Sequence, residues 1–214
     1  MATTKDAENF SAGRQAAYTA RNRAALLKAG QEVLAEIGPG ATIEQLATHA
    51  QVSPTTIYKY FSSKEVLFAE GLDQLWREWV VWSYNGAAPA SSLEAVMDSA
   101  RKLYWLNETH PLFARILRNM LSNPAFLIAA VKGGGTAAFQ ALAKQEVIPE
   151  QNFEERIILW SYCLAGLLTA VYVNEELTPQ EAEVAMGIGL SIWGISEAKA
   201  KKLMSRPLVF APLK

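Results

Sequence analysis

Apolar residues recur along this chain with the period of a helix. Near residues 20–37, Leu26, Gly30, Val33 and Ile37 fall on one face with Leu27 and Leu34 beside them, the spacing of an amphipathic helix. Gly38-Pro39-Gly40 ends that pattern. Thr42 then caps a short helix, TIEQLATHA, in which Ile43, Leu46 and Ala47 point inward. Ser53 followed by Pro54 reads as an N-cap with proline at the first helical position. Ser62, with Glu65 three residues on, is already the next helix start. From Glu65 to Trp82, the apolar side carries Leu67, Phe68, Leu72, Leu75, Trp76 and Trp79.

Helices are further predicted over 92–108 and 111–122, from Asn123-Pro124 onward, and over 136–147. Gly133-Gly134-Gly135 interrupts this region, and each glycine costs a helix about 1 kcal/mol relative to alanine. A bend or loop is therefore expected at Lys132–Thr136. Two long helices close the pattern, near 152–174 and 179–198, the second opened by Thr178-Pro179-Gln180-Glu181. No strand alternation or internal repeat is visible, so the fold class is all-α.

The helix between Ser53 and Ser62 spans only about two turns, too few to be stable alone in water. With the preceding helix and a turn at Ala50-Gln51-Val52 it forms a helix-turn-helix. Small Ala47 lets the two helices approach, Val52 and Ile57 bury the second against the first, and Phe61 closes the end. The outward face keeps Ser53, Pro54, Thr55, Thr56, Lys59 and the phenol ends of Tyr58 and Tyr60. These short hydroxyls, methyls and one cation suit base edges and phosphates in a DNA major groove. A short structural helix with a solvated face is the competing reading.

Charge adds a weak pointer. The net charge of −1 hides seven basic against five acidic residues in 1–64, and five basic against one acidic from Glu197 onward, leaving an acidic middle. The lone Cys163 excludes an internal disulfide framework and fits a reducing, cytoplasmic setting. With only His49, His110 and Cys163 available, no metal cluster is visible, and no cofactor motif is found. The first residues lack the apolar core of a secretory signal. The uncharged run Ile157–Val173 falls just short of a membrane span, and its flanks show no positive-inside bias. It reads as a helix apolar on every face, buried by its own domain and by a partner subunit.

The stretch ATIEQLATHAQVSPTTIYKYFSSKEVLFAEGL, with the preceding ARNRAALLKAGQEVLAEIG, resembles the DNA-binding domain of the TetR family of transcriptional regulators. The likeness covers roughly residues 20–70 and departs at Gln51, where a glycine is usual. It implies an N-terminal three-helix DNA-binding domain and a larger helical domain for ligand binding and dimerisation. The chain then divides into an arm over 1–19, the reader over 20–66, the second domain over 67–198 and a tail over 199–214. The resemblance implies a homodimeric repressor, less often an activator, on double-stranded DNA with two-fold symmetric half-sites. By the motif match, Thr56 meets a base or its adjoining phosphate. Thr42, Tyr58, Tyr60 and Lys64 hold phosphates, and Pro54, Thr55 and Lys59 read the operator. Free amides at Ser62-Ser63-Lys64 offer a further phosphate site. The arm with Arg14, Arg21 and Arg23 either reaches the DNA or is a solvated tail.

The last two long helices, with Ala185, Gly187, Gly189 and Gly194 permitting close approach, are expected to form the dimer as a four-helix bundle. Trp160, Leu164, Leu168, Ala185, Gly189 and Trp193 are its candidate residues. Aromatic and sulfur side chains suggest a pocket for an apolar or aromatic effector. Its candidates are Trp79, Trp82, Tyr104, Trp105, Phe113, Arg118, Met120, Phe126, Phe139, Trp160 and Tyr162. Each also reads as ordinary core. The helix Glu65–Trp82 links reader and sensor. The rival classes are an enzyme and a helical small-molecule-binding protein with no DNA role. No nucleophile elbow, phosphate loop or acid–base pair supports an enzyme, and the motif at 42–64 argues against both. An activator and a ligand-independent repressor are the alternatives within the regulator class.

Overall fold

A computed structural model describes residues 4–85, 92–121 and 135–212, with side chains from residue 13 onward. Among these residues all regular structure is helical. The chain divides into two compact units, Met1–Leu75 and Trp76–Lys214, so the division falls inside a helix rather than at 66/67.

The first unit holds α1 (Thr4–Glu36), α2 (Ile43–His49), α3 (Pro54–Tyr58) and the first part of α4 (Lys64–Ser83). Its interior is built by Leu26, Ala29, Val33 and Leu34 of α1 with Leu46, Ala47, Ile57, Phe61, Leu67 and Phe68. Gly30 is there for contact: a Cβ at that position would lie 2.1 Å from Leu67 Cδ2. Next to it, Gln31 Nε2 donates to the Gly71 carbonyl at 3.0 Å. Ile37 departs from the expected face and is 48 % exposed, because α1 stops at Glu36 and Gly38, at φ 90°, turns the chain away. α1 is helical from Thr4, through the stretch expected as the arm.

In the α2–α3 turn, Gln51 takes φ 55°. Its amide donates to the Thr48 carbonyl at 3.1 Å and the Val52 amide to that of Ala47 at 3.0 Å, the paired bonds of a Schellman ending. Glutamine there costs about 1 kcal/mol relative to glycine. The buried Ile57, with no solvent exposure, is what holds the five-residue α3 in place. The next cap falls at Ser63, whose Oγ accepts from the Val66 amide at 3.3 Å, not at Ser62.

The second unit holds the end of α4, then α5 (Leu93–Arg101), a 3-10 turn (Lys102–Trp105), α6 (Leu106–Thr109) and α7 (Pro111–Met120). After these come α8 (helical over 135–144), α9 (Phe153–Tyr172), α10 (Pro179–Gly189), a second 3-10 turn (Leu190–Trp193) and α11 (Glu197–Met204). The single helix expected over 92–108 is broken for an identifiable reason. The Tyr172 hydroxyl donates to the Leu103 carbonyl at 2.6 Å and accepts from the Leu106 amide at 3.0 Å. A side chain inserted into the ladder forces the tighter winding. The helix expected over 179–198 also ends early, at Gly194 with φ 68°, and Ser196 caps α11 in its place. Of the expected bend at Lys132–Thr136, Gly135 and Thr136 are helical and the rest lies outside the described residues.

A buried ion pair ties α5 to α10. Arg101, 4 % exposed, donates from Nε to Glu183 at 2.7 Å and lies 2.5 Å from it through Nη2. Trp105 Nε1 donates to the other Glu183 oxygen at 2.7 Å. The segment after α11 is strapped down through its backbone. Arg101 donates to the Arg206 carbonyl at 3.0 Å, Asn85 to that of Val209 at 2.9 Å, and Trp82 to that of Ala211 at 2.9 Å. Lys102 is buried beside this strap, with Nζ on the Ser83 carbonyl at 2.6 Å and Asn85 Oδ1 at 3.0 Å. Burial pulls its amine below the usual lysine range. Among the described residues no helix is long and apolar enough to cross a membrane.

Candidate nucleic-acid interface and effector cavity

The hydroxyl face of the first unit is set by helix capping. Thr42 Oγ1 accepts from the Gln45 amide at 3.2 Å, and the Gln45 side chain accepts from the Thr42 amide at 2.8 Å, a reciprocal capping box. Ser53 Oγ accepts from the Thr56 amide at 3.2 Å and shares a hydrogen bond with Thr56 Oγ1 at 2.9 Å. Thr42, which caps by accepting, keeps its own proton for an outside acceptor such as a phosphate oxygen, while the Ser53–Thr56 pair spends one of its two protons internally. On α3, Thr55 and Tyr58 are exposed, as is Lys59 just after it. Pro54, Thr56 and Tyr60 are half-buried.

Two parts of the expected phosphate set are engaged internally. Lys64 Nζ donates to the Ala41 carbonyl at 2.5 Å, with Glu65 at 3.9 Å. The Glu65 carboxylate takes its own backbone amide and the Ser63 hydroxyl, which hold it below the usual carboxylate range. The start of α4 is thus partly filled by its own groups. Of the arginines of α1, Arg23 pairs with Glu70 and lies over the Phe61 ring at 4.7 Å. Arg21 sits over Tyr18 at 5.7 Å. Arg14 is exposed.

In the second unit, a cavity of about 290 Å³ is walled by α4, α5, α8 and α9. Trp76, Trp79, Phe139 and Trp160 supply its aromatic surface, and Val80, Val96, Leu103, Ile157 and Leu164 its aliphatic one. No charged side chain lines it among the described residues. Of its two polar residues, Tyr84 and Ser99, the orientation of Ser99 can be deduced. Ser83 Oγ donates its proton to the Val80 carbonyl at 2.9 Å, so the 2.7 Å bond between the two serines is donated by Ser99.

Of the candidate pocket residues, the structure brings Trp79, Phe139 and Trp160 to this cavity. Tyr104 and Met120 are buried elsewhere in the core, and Phe113 backs the wall in edge-type contacts with Trp76 and Trp79. Trp82 and Trp105 instead flank Phe210 of the C-terminal segment. Arg118 and Tyr162 are exposed, and Phe126 lies outside the described residues. Sequence reading missed Trp76, Tyr84, the aliphatic wall and, above all, the small residues Ser99, Ala100, Ala137, Ala138 and Ala141. Their small size makes the space, and small residues leave no distinctive pattern.

The dimer candidates also need correction. Trp160, Leu164, Leu168 and Trp193 are buried inside the chain's own core. Gly189 serves an internal approach, since a Cβ there would lie 2.9 Å from Cys163 Sγ, and Gly187 does the same for Met204. Ala185 is half-buried. The apolar residues left facing outward are Ile158, Leu159 and Tyr162 of α9 and Val184 and Ile188 of α10, up to 75 % exposed at Ile188. A helix apolar all round hides which side meets its own core.

These two features, a helix-turn-helix with a hydroxyl face and a separate helical unit around an apolar cavity, are those of the fold found in TetR-family transcriptional regulators. Residues 26–70 match the bacterial regulatory proteins, tetR family. No curated protein matches the chain. Among solved structures, RolR with resorcinol bound is similar at TM-score 0.65 and 15 % identity, over 91 % of this chain and 98 % of that one. RolR without ligand gives 0.60 and 18 % over 86 % and 97 %. A protein from Rhodococcus sp. described as a TetR-family transcriptional regulator gives 0.59 and 15 % over 81 % and 99 %. At these identities the likeness to the solved structures is one of fold.

Proposed function

We propose that the protein is a homodimeric repressor, released from its operator by a neutral apolar or aromatic molecule held in the cavity of the second unit. The observation that carries the reading is the cavity itself. About 290 Å³ of space, walled by three tryptophans and a phenylalanine and free of charged lining among the described residues, suits such a ligand and penalises an ionised one. RolR, similar in fold, binds resorcinol, which supports the class of effector. The exposed apolar residues of α9 and α10 support the dimer, because a patch of that kind marks an interaction surface. Two-fold symmetry then requires paired half-sites.

On this reading Thr55 and Lys59 read bases, while Thr42, Tyr58, Tyr60 and Lys64 hold the backbone. The helix α4 carries Lys64 at its start and lends Trp76, Trp79 and Val80 to the cavity. A ligand that shifts it changes the separation of the two reading helices. Linkage makes the effect reciprocal: the operator weakens ligand binding by the same factor that the ligand weakens operator binding, about 5- to 150-fold. Neutral aromatics that raise the melting temperature are the probes. Their affinity is measured by quenching of the cavity tryptophans, with and without operator. A 5- to 150-fold weaker affinity on the operator is the expected result, and equal affinity in both states contradicts ligand release.

A further inference from the structure

Tyr60 is half-buried, and its hydroxyl is not free in the way an exposed phenol is. Asn22 of α1 donates from Nδ2 to the Tyr60 oxygen at 3.1 Å. A phenol has one proton to give and lone pairs with which to accept. Here the accepting side is engaged from within the fold, and no described residue takes the proton. The next residue along α1, Arg23, lies over the Phe61 ring and pairs with Glu70. Consecutive residues of α1 therefore hold consecutive residues at the end of the reading segment. The direction of the amide matters, because an Asn22 turned the other way would accept the Tyr60 proton and leave nothing to donate outward.

We propose that Asn22 is a positioning residue for DNA binding: by donating to Tyr60 it aims the tyrosine proton at a phosphate oxygen of the operator. This rests on the reading of Tyr60 as a phosphate contact. Asn22 itself does not touch the DNA. Its contribution is to restrict the rotation of a hydroxyl that otherwise points equally well at water, and a hydrogen bond to a charged acceptor is strong enough for that restriction to register.

The test is a double-mutant cycle on the full-length protein, reading operator affinity by fluorescence anisotropy at several salt concentrations. Tyr60→Phe and Asn22→Ala are each expected to weaken binding roughly tenfold, with the salt slope unchanged because neither removes a cation. In the Tyr60→Phe background, Asn22→Ala is expected to cost nothing further. Asn22→Asp, which keeps the size but can only accept, is expected to bind no better than Asn22→Ala. If Tyr60→Phe binds normally, the phosphate role of Tyr60 is wrong and the inference falls with it. If Tyr60→Phe is weakened while Asn22→Ala is not, the phosphate contact stands and the positioning role is overturned. Additive losses, or a shared fall in salt slope, overturn it as well, since they mark a separate contact or a general loosening of α1. Wild-type affinity for Asn22→Asp overturns the direction of donation.

Discussion

For the proposed homodimer, Ile188→Asp is expected to give a folded monomer and to abolish tight operator binding. Ile188 is the most exposed of the large hydrophobic residues, at 75 %, so the change leaves the protomer's own core intact. In a two-fold interface the substitution appears twice, and each buried, unpaired carboxylate costs several kcal/mol. A monomer engages one half-site only. Affinity should fall roughly a thousandfold or more, toward the non-specific range. Leu159→Asp on α9, at 57 % exposure, should act alike. Sedimentation gives the oligomeric state, circular dichroism the fold, and anisotropy the affinity. An intact dimer with unchanged binding would place the interface elsewhere.

The second large effect is on stability. Arg101→Ala leaves Glu183 only 8 % exposed, with Trp105 Nε1 as its remaining donor. Removing one partner of a buried pair costs about 3–5 kcal/mol, because the other charge stays buried and uncompensated. Arg101 also donates to the Arg206 carbonyl, so the C-terminal segment loses an anchor in the same variant. Urea unfolding followed by tryptophan fluorescence should show the drop in midpoint. Joint replacement, Arg101→Met with Glu183→Leu, removes both charges and should recover most of the loss. If the single variant unfolds at the wild-type midpoint, the pair contributes no net stability.

The first unit was largely legible because its signals are local. Thr42 caps α2, Ser53 and Pro54 open α3, and Gln51 adopts the left-handed turn that its place in the motif demands. Each feature depends on residues within a few positions of one another. The second unit was legible as helices but not as surfaces. The break at Lys102–Trp105 is caused by Tyr172, some seventy residues away, and no periodicity announces it. In α9, Leu164 and Leu159 are the same residue type, yet one is buried in the protomer and the other faces out. Only the packing of α9 against its neighbours separates them. The cavity was half-seen for a related reason. Its aromatic walls stand out in the sequence, while the alanines that leave it empty do not. Trp82 and Trp105, pocket candidates by sequence, hold the C-terminal segment, a tertiary contact between distant parts of the chain.

In the proposed function the hydroxyl face of α2 and α3 reads DNA sequence as a symmetric pair. The most direct measurement is selection by the full-length protein from a pool of random duplexes, followed by affinity for the winners across a range of salt. A two-fold symmetric site, with half-sites spaced by whole helical turns, should be enriched. The protein should prefer it over unselected duplex by at least about a thousandfold at physiological salt. Thr55→Ala should relax the preference at one position in each half-site, whereas Tyr58→Phe should weaken all sites alike. A pool that emerges unenriched, with binding no stronger than to random duplex, would contradict the account.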